Sequence, residues 1–472
     1  MSNKKIIVRP HFVYIFTLLY PYLSLLIIPV IRGVYRYLVG KSSTFSAFLT
    51  AEVVMLGIAL FAAVLKLKRI KIIISGDVRV EKGLIFKVKY TIPQTVSRVY
   101  MLESDPFSRL FGIYRLKIYT EAGTRRRPDE RLPISKKTAT NLYQELKVEG
   151  QAVKSNTLGN VIMSAALSSS MAGFLIAAPL VKSVASLLGN GLTAVLSRIK
   201  SQNVGIEELE VLSKALPLLI FVGYIVSFAV ILLRNSGFSS VKSGNRIMLD
   251  SGRLPHRTAF LEVPSVNSVK TVTAPLMRLA NKCAVKFSAC GFGRAKGEIG
   301  LLLPCVRTTI ADGLTRWLLP QFEQTEALAK PDRRAIKRCV FLLLAFMISA
   351  VISATVAYRM VPKLRSVIIT FALLIFVVIL LWLTARLTVL CKGELSVKGK
   401  HYSITGGYGF GTVKLQCSKK NIESITVRRT PFDYRYQHCT VILRTSYKSS
   451  DSVKLKYLDY GKVCELLEFK LK

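Results

Sequence analysis

Carboxylates are scarce in this chain of 472 residues: 27 aspartates and glutamates stand against 68 lysines and arginines, leaving a net charge of +41. Histidine is scarcer still, and the four present (His11, His256, His401, His438) sit in unrelated settings with no HExxH spacing. Neither a GxxxxGKS/T loop nor a GxSxG elbow occurs. General acid–base, metal-assisted and nucleophilic chemistry each need such groups gathered at fixed spacing. The sequence therefore points away from an enzyme and implies no cofactor. The glycine-rich run GGYGFG (Gly406–Gly411) reads as a hairpin between two strands, because a phosphate cradle would need a helix N-terminus there. Cysteine is missing from the first half. All eight lie between Cys283 and Cys464, none spaced CxxC. Cys283 and Cys439 take one repeat position that Tyr114 fills in the first copy, which reads as packing rather than metal ligation or a disulfide, in keeping with a reducing cytoplasm.

What the chain has in quantity is apolar length. Mean hydropathy is +0.39 although 20% of residues are charged, so the two kinds must be segregated. Six nearly charge-free segments carry the apolar excess: Phe12–Ile31, Phe45–Leu65, Leu158–Val181, Ala215–Leu233, Cys339–Tyr358 and Val367–Leu383. About 20 apolar residues cross a hydrocarbon core as a helix, so six spans in three hairpins are expected. The first run is too long for a cleavable leader and no small-residue cleavage site follows it. Basic residues crowd the ends on the N-terminal side (Lys4, Lys5, Arg9, Lys66, Lys68, Arg69, Arg333, Arg334) more than the hairpin loops. The positive-inside rule then puts both termini and the basic blocks in the cytoplasm, with the protein multi-pass in the cell membrane. Glu52 is the one ionisable group inside a span and lies near its start, which argues against a transport path. Ser164, Ser168, Ala172 and Ala165, Ser169, Gly173 form small-residue ridges suited to close helix packing. The insert Lys182–Lys214 could carry an amphipathic interfacial helix or be an ordinary long loop.

Each pair of spans is followed by a strand-rich basic block, and each block contains a proline in one local setting: PFSRLFGIYRLKIYT from Pro106, PLMRLANKCAVKFSA from Pro275 and PFDYRYQHCTVILRT from Pro431. The three align without a gap. Leu116, Val285 and Val441 fall at one position, and Ile118, Phe287 and Leu443 fall two later, the period of a strand face. Self-similarity of this kind indicates three copies of one unit. Within a copy, alternation at Ile70–Val80 and turns at Gly76-Asp77 and Lys82-Gly83 indicate short antiparallel strands. Ser135 is placed to cap a closing helix with Ala139, Leu142, Tyr143 and Leu146 on one face. So small a sheet is expected to curl into a barrel or sandwich to manage its edges.

A hairpin, then strands carrying Gly83, Ile92-Pro93, Val96, Val99, Pro106, Arg109, Leu110, Phe111 and Gly112, then a helix, resembles the bacterial pleckstrin-homology-like (PH-like) membrane proteins of the YdbS/YdbT type. Copy two keeps Gly252, Val263-Pro264, Val266, Val269, Pro275, Arg278 and Leu279, with Ala280-Asn281 for Phe-Gly; copy three keeps Ile422, Ile425 and Pro431. The three-copy layout is similar to YdbT-like members. The resemblance implies an α+β membrane protein: three repeats of a transmembrane helix hairpin followed by a PH-like β-barrel or sandwich with a C-terminal helix. The expected parts are hairpin 1 (1–66), PH-like domain 1 (67–150), hairpin 2 (155–234, with loop 182–214), PH-like domain 2 (240–325), hairpin 3 (335–387) and PH-like domain 3 (388–472). Pro93, Pro106, Gly112, Pro264, Pro275 and Pro431 are fold-motif residues and carry no chemistry.

The resemblance also implies an envelope setting, tolerance of membrane-active antimicrobial peptides, and a partner membrane protein of the same family. The expected role is a non-enzymatic scaffold or binding protein, with an exporter component regulated by its PH-like domains as the alternative. The residues themselves offer basic runs for anionic lipid headgroups: Arg125, Arg126, Arg127, Lys419, Lys420, Arg428 and Arg429. A preformed lipid pocket would instead need Lys82, Lys87 and Lys89 to converge, a set that the other copies lack. Nucleic acid is not expected, because no basic–aromatic stacking motif accompanies the charge.

Overall fold

A computed structural model of the chain describes residues 5–20, 45–120, 128–168, 206–322 and 329–467, except 85, 291, 293–299, 333, 361–364, 409 and 446–451. In chain order the first elements are β1 (Ile6–Val8), α1 (Phe45–Arg69), β2 (Lys71–Ile74), β3 (Val78–Lys82), β4 (Val88–Ile92), β5 (Arg98–Ser104), α2 (Pro106–Leu110), β6 (Ile113–Thr120), β7 (Glu130–Ser135) and α3 (Lys136–Leu146). A second set follows: β8 (Gln151–Lys154), α4 (Thr157–Leu167), α5 (Ile206–Asn235), β9 (Ser239–Ser243), β10 (Arg246–Ser251), β11 (His256–Glu262), β12 (Val266–Thr273), α6 (Pro275–Leu279), β13 (Lys282–Ala289), β14 (Leu301–Arg307) and α7 (Thr308–Leu318). The last set is α8 (Arg334–Met360), α9 (Arg365–Lys392), β15 (Glu394–Lys398), β16 (His401–Tyr408), β17 (Gly411–Ser418), β18 (Ile422–Arg428), α10 (Pro431–Arg435), β19 (His438–Thr445), β20 (Ser452–Asp459) and α11 (Tyr460–Leu466).

The phased prolines open α2, α6 and α10 at the first helical turn, where a fixed φ helps and the missing N–H is no loss. Each short helix is left through a residue with positive φ: Gly112 (64°), Asn281 (52°) and Gln437 (51°). Glycine is at ease there and asparagine tolerable, whereas glutamine is strained. The strand that follows buries the expected pair in every case: Leu116 and Ile118, Val285 and Phe287, Val441 and Leu443. Ser135 caps α3, its Oγ accepting from the Thr138 N–H, and Ala139, Leu142 and Leu146 are buried. Cys283 and Cys439 are buried core thiols, both pushed up to about 12 chiefly by burial.

The chain divides into two compact units: Met1–Gly150 with Lys242–Leu249 and Leu254–Ser265, and Gln151–Val241 with Asp250–Arg253 and Val266–Lys472. The division runs through the second strand block rather than between blocks. In the first unit β1-β2-β3-β4 form one antiparallel sheet. β5 pairs with β6 and β6 with β7, while the other edge of β5 takes β11, from Ser104↔His256 to Val99↔Leu261. In the second unit the order is β14-β13-β12-β17-β16-β20-β19-β18, with β15 also on β16. The blocks are in addition joined edge to edge. β5 and β12 pair forward with a strand of the next block, which covers main-chain groups that a lone block would leave at an open edge.

Of the six apolar segments, one stretch among the described residues, Ile375–Lys392 in α9, is long and apolar enough to cross a membrane by length and composition. Thr157–Leu167, Phe221–Asn235 and Leu344–Met360 are apolar but shorter. Three transmembrane hairpins are therefore not carried by these helices as described. Most of Phe12–Ile31, the end of Leu158–Val181 and most of the 182–214 insert lie outside the described residues.

Candidate functional site

In the second unit, the C-terminal half of α9 lies beside the closing strand of the third block. Val378, Trp382, Arg386 and Val389 recur every three or four residues and share one helix face. The face opens on a cleft of about 460 Å³, whose other wall carries Phe410, Lys454, Lys456 and Tyr457. β20 builds that wall by alternation: Val453 and Leu455 point into the core, which leaves Lys454 facing away from it. The alternation breaks where Tyr457 takes a φ of 63°, and the paired register with β19 slips between Cys439 and Val441. A bulge of this kind re-aims side chains, and here Lys456 and Tyr457 both reach the cleft. Tyr457 packs with Met347 and Leu383 against the buried Ile379 and Leu390. The Arg386 guanidinium stacks on Trp382, 5.0 Å from its ring centre, which fixes a cation at the rim at little entropic cost.

Glycine makes the wall possible. Gly407 pairs with Lys454 where β16 meets β20. At neighbouring Gly406 a Cβ would sit 2.5 Å from the Lys454 carbonyl oxygen and 2.7 Å from Val453 Cγ1. GGYGFG is thus a place of close backbone approach that brings β20 onto β16, and its first two glycines lie within a strand.

Among the described residues the cleft is lined by three cations and otherwise by apolar and aromatic groups, with no carboxylate. Ile379 also lines a second space, of about 640 Å³, between α8 and α9, with Met347, Val351, Ile369, Ile375 and Phe376 among its walls. A cleft lined by cations, next to an apolar space with which it shares Ile379, has the chemistry for a molecule with an anionic head and a hydrocarbon tail.

The residues singled out from sequence fall elsewhere. Arg125, Arg126 and Arg127 lie outside the described residues. Lys419 and Lys420 are exposed in the turn between β17 and β18, and Arg428 is exposed at the end of β18. Arg429 is held between the rings of Tyr434 and Tyr460, at 4.0 and 4.1 Å, so its charge is engaged within the fold. Lys82 and Lys89 do not converge on a pocket. Lys82 bonds Glu130 at 2.5 Å and Lys89 bonds Glu81 at 3.2 Å. Tyr90 also donates to Glu130, and burial together with that bond raises its pKa. The cleft cations were missed because Arg386 and Lys454 are far apart in sequence. The available signals were Trp382 and Arg386 at helical spacing and the alternating KLK of β20.

A buried charged cluster lies in the first unit. Glu103 on β5 faces Arg257 on β11 in register and bonds it at 2.6 Å, and Lys117 bonds its other oxygen at 2.9 Å. Burial pushes this carboxyl up, but the two cations outweigh it and hold the pKa at about 2. This is a structural pin across the β5–β11 seam.

Comparison with known proteins gives a family match for the first part of the chain. Residues 16–149 fit the family model described as Bacterial PH domain, and no curated protein and no solved structure matches the chain. A bacterial PH domain therefore occupies the first part of the chain. β-Sandwich domains are repeated in this α+β protein, and the PH-domain match falls on the first part of the chain.

Proposed function

We propose that the chain is a membrane-embedded, non-enzymatic binding protein whose third block holds the anionic headgroup of a lipid in the Arg386–Lys454–Lys456 cleft, with an acyl chain along the α8–α9 groove. The observation that carries this reading is the composition of the cleft: three cations and, among its described lining residues, no carboxylate, with an apolar space between α8 and α9 that shares Ile379 with it. A bacterial PH domain in the same chain points to a membrane or lipid role. Further support is the apolar surface of the helices. Phe341, Phe346, Val351 and Leu373 on α8 and α9 are more than half exposed, as are Val53, Ile58 and Phe61 on α1. Exposed apolar surface of that extent is a site for lipid or protein. In this reading α1, α5, α8 and α9 belong to spans of the expected hairpins, with termini and strand blocks in the cytoplasm as the charge bias favours. The scaffold role, the three-copy YdbT-like layout, a partner of the same family and the antimicrobial-peptide setting rest on the resemblance alone.

The test is the lipid bound by the full chain in native-membrane particles. Joint replacement Arg386→Gln, Lys454→Gln, Lys456→Gln should lower the ratio of anionic to zwitterionic lipid retained, by about fivefold per cation if each contributes about 1 kcal/mol. An unchanged ratio would remove the reading.

A further inference from the structure

Two strand edges inside this chain are built alike, and both are occupied. β5 carries β11, and β12 carries β17. In each seam a strand just ahead of a phased proline takes the third strand of the next block. The register is also the same. The residue two before the proline faces the residue seven before the 3-10 turn (Val263–Ser265 or Lys419–Asn421): Ser104 on His256, and Thr273 on Thr412. Burial follows the pairing. Every residue of β5 is buried, as are Val266–Val269 of β12. On the receiving side Thr258–Leu261 of β11 and most of β17 are buried.

The series has two ends. β18 stands where β5 and β12 stand, yet none of its residues is buried. β4 stands where β11 and β17 stand, yet only Ile92 is buried. Among the described residues β18 pairs only with β19, and β4 only with β3. Neither strand contains proline, and both keep alternating apolar residues: Ile425 and Val427 on one, Val88 and Tyr90 on the other. The one charge on β4, Lys89, is already paired with Glu81 of its own sheet.

The geometry points to a second copy of this chain as the occupant: β18 of one molecule pairs antiparallel with β4 of the next, repeating between chains the seam made twice within each. Main-chain hydrogen bonds supply the attraction and the alternating side chains the fit. The contact joins two different surfaces, so assembly runs head to tail and yields a ring or an open row of subunits. With Ile92-Pro93 in the place of Val263-Pro264, the shared register sets Thr426 opposite Val88, both exposed in the single chain. Opposed residues on paired strands bring their Cβ atoms to about 4.5–5.5 Å, close enough for a disulfide after small adjustment.

Disulfide trapping with two differently tagged full-length chains tests this, one carrying Thr426→Cys and the other Val88→Cys. Mixed in one membrane and oxidised, they should form a cross-tag dimer well above the level given by the wild-type chain with its own cysteines. A chain carrying both substitutions should give a ladder of multimers. Native mass measurement on the unmodified chain should show assemblies of more than one copy. The proposal is overturned if the cross-tag dimer stays at the wild-type level. Single chains alone by mass would overturn it too, as would Thr426→Cys chains linking to each other as readily, which would mean β18 pairing with β18 about a two-fold axis.

Discussion

Replacing Glu103 by glutamine should make unfolding of the first unit nearly indifferent to acid in the range where the wild type is sensitive. The carboxyl has a usual value of 4.5 and is held at about 2 in the fold. At about 1.4 kcal/mol per pH unit, that difference corresponds to roughly 3 kcal/mol of stability. The sign follows from the depressed pKa: folding releases the proton, so the contribution is full above about pH 4.5. It shrinks as pH falls toward 2, where the folded-state carboxyl itself protonates. At neutral pH the substitution should cost roughly 3–5 kcal/mol, because Arg257 and Lys117 keep their charge in a seam where Glu103 is 4% exposed. Hydrogen exchange of the β5 and β11 amides in the full chain reads this locally. Wild-type protection should drop between pH 4.5 and 2 relative to the variant, whose own profile stays flatter. Parallel profiles for the two proteins, or a loss at pH 7 below about 1 kcal/mol, would refute the reasoning.

Three further substitutions probe other parts of the account. Gln437→Gly relieves a positive φ and should raise stability by about 1 kcal/mol in thermal unfolding; no gain would mean the strain is absent. Gly406→Ala forces β20 away from β16 and should destabilise the third block by roughly 1–3 kcal/mol, with faster exchange at Lys454; unchanged exchange would contradict the close approach. Arg429→Lys keeps the charge but loses the two-ring clamp. It should lower stability while leaving the anionic lipid content of purified protein unaltered, and a lipid effect would restore Arg429 as a headgroup contact.

Much of the fold is legible in sequence wherever the cause is local. Pro106, Pro275 and Pro431 fix a helix start, the residue pair that follows fixes a strand face, and Ser135 fixes a cap; each acts through its own neighbours. The pairing of β5 with β11 is not legible, because main-chain hydrogen bonds carry no side-chain signature and the two strands are about 150 residues apart. Glu103 and Arg257 do mark that seam, but opposite charges at such a distance are indistinguishable from any other pair until the register is known. The cleft is hidden for a related reason. A basic run such as Lys419-Lys420 stands out as a run, whereas Arg386, Lys454 and Lys456 are brought together by a helix end, a close glycine contact and the left-handed turn at Tyr457.

The lipid cleft is tested most directly by the fluorescence of Trp382, which lines it. The chain has only two tryptophans, so Trp317→Phe leaves Trp382 as the sole reporter. The protein would be reconstituted in bilayers with a few per cent of a lipid brominated on its acyl chain, anionic or zwitterionic in headgroup. The anionic bromolipid should quench Trp382 well beyond its share of the bilayer and saturably. The zwitterionic one should quench only in proportion to its share, and the anionic preference should vanish in Arg386→Gln, Lys454→Gln, Lys456→Gln. Equal quenching by the two lipids in the Trp317→Phe protein would contradict the proposed lipid cleft.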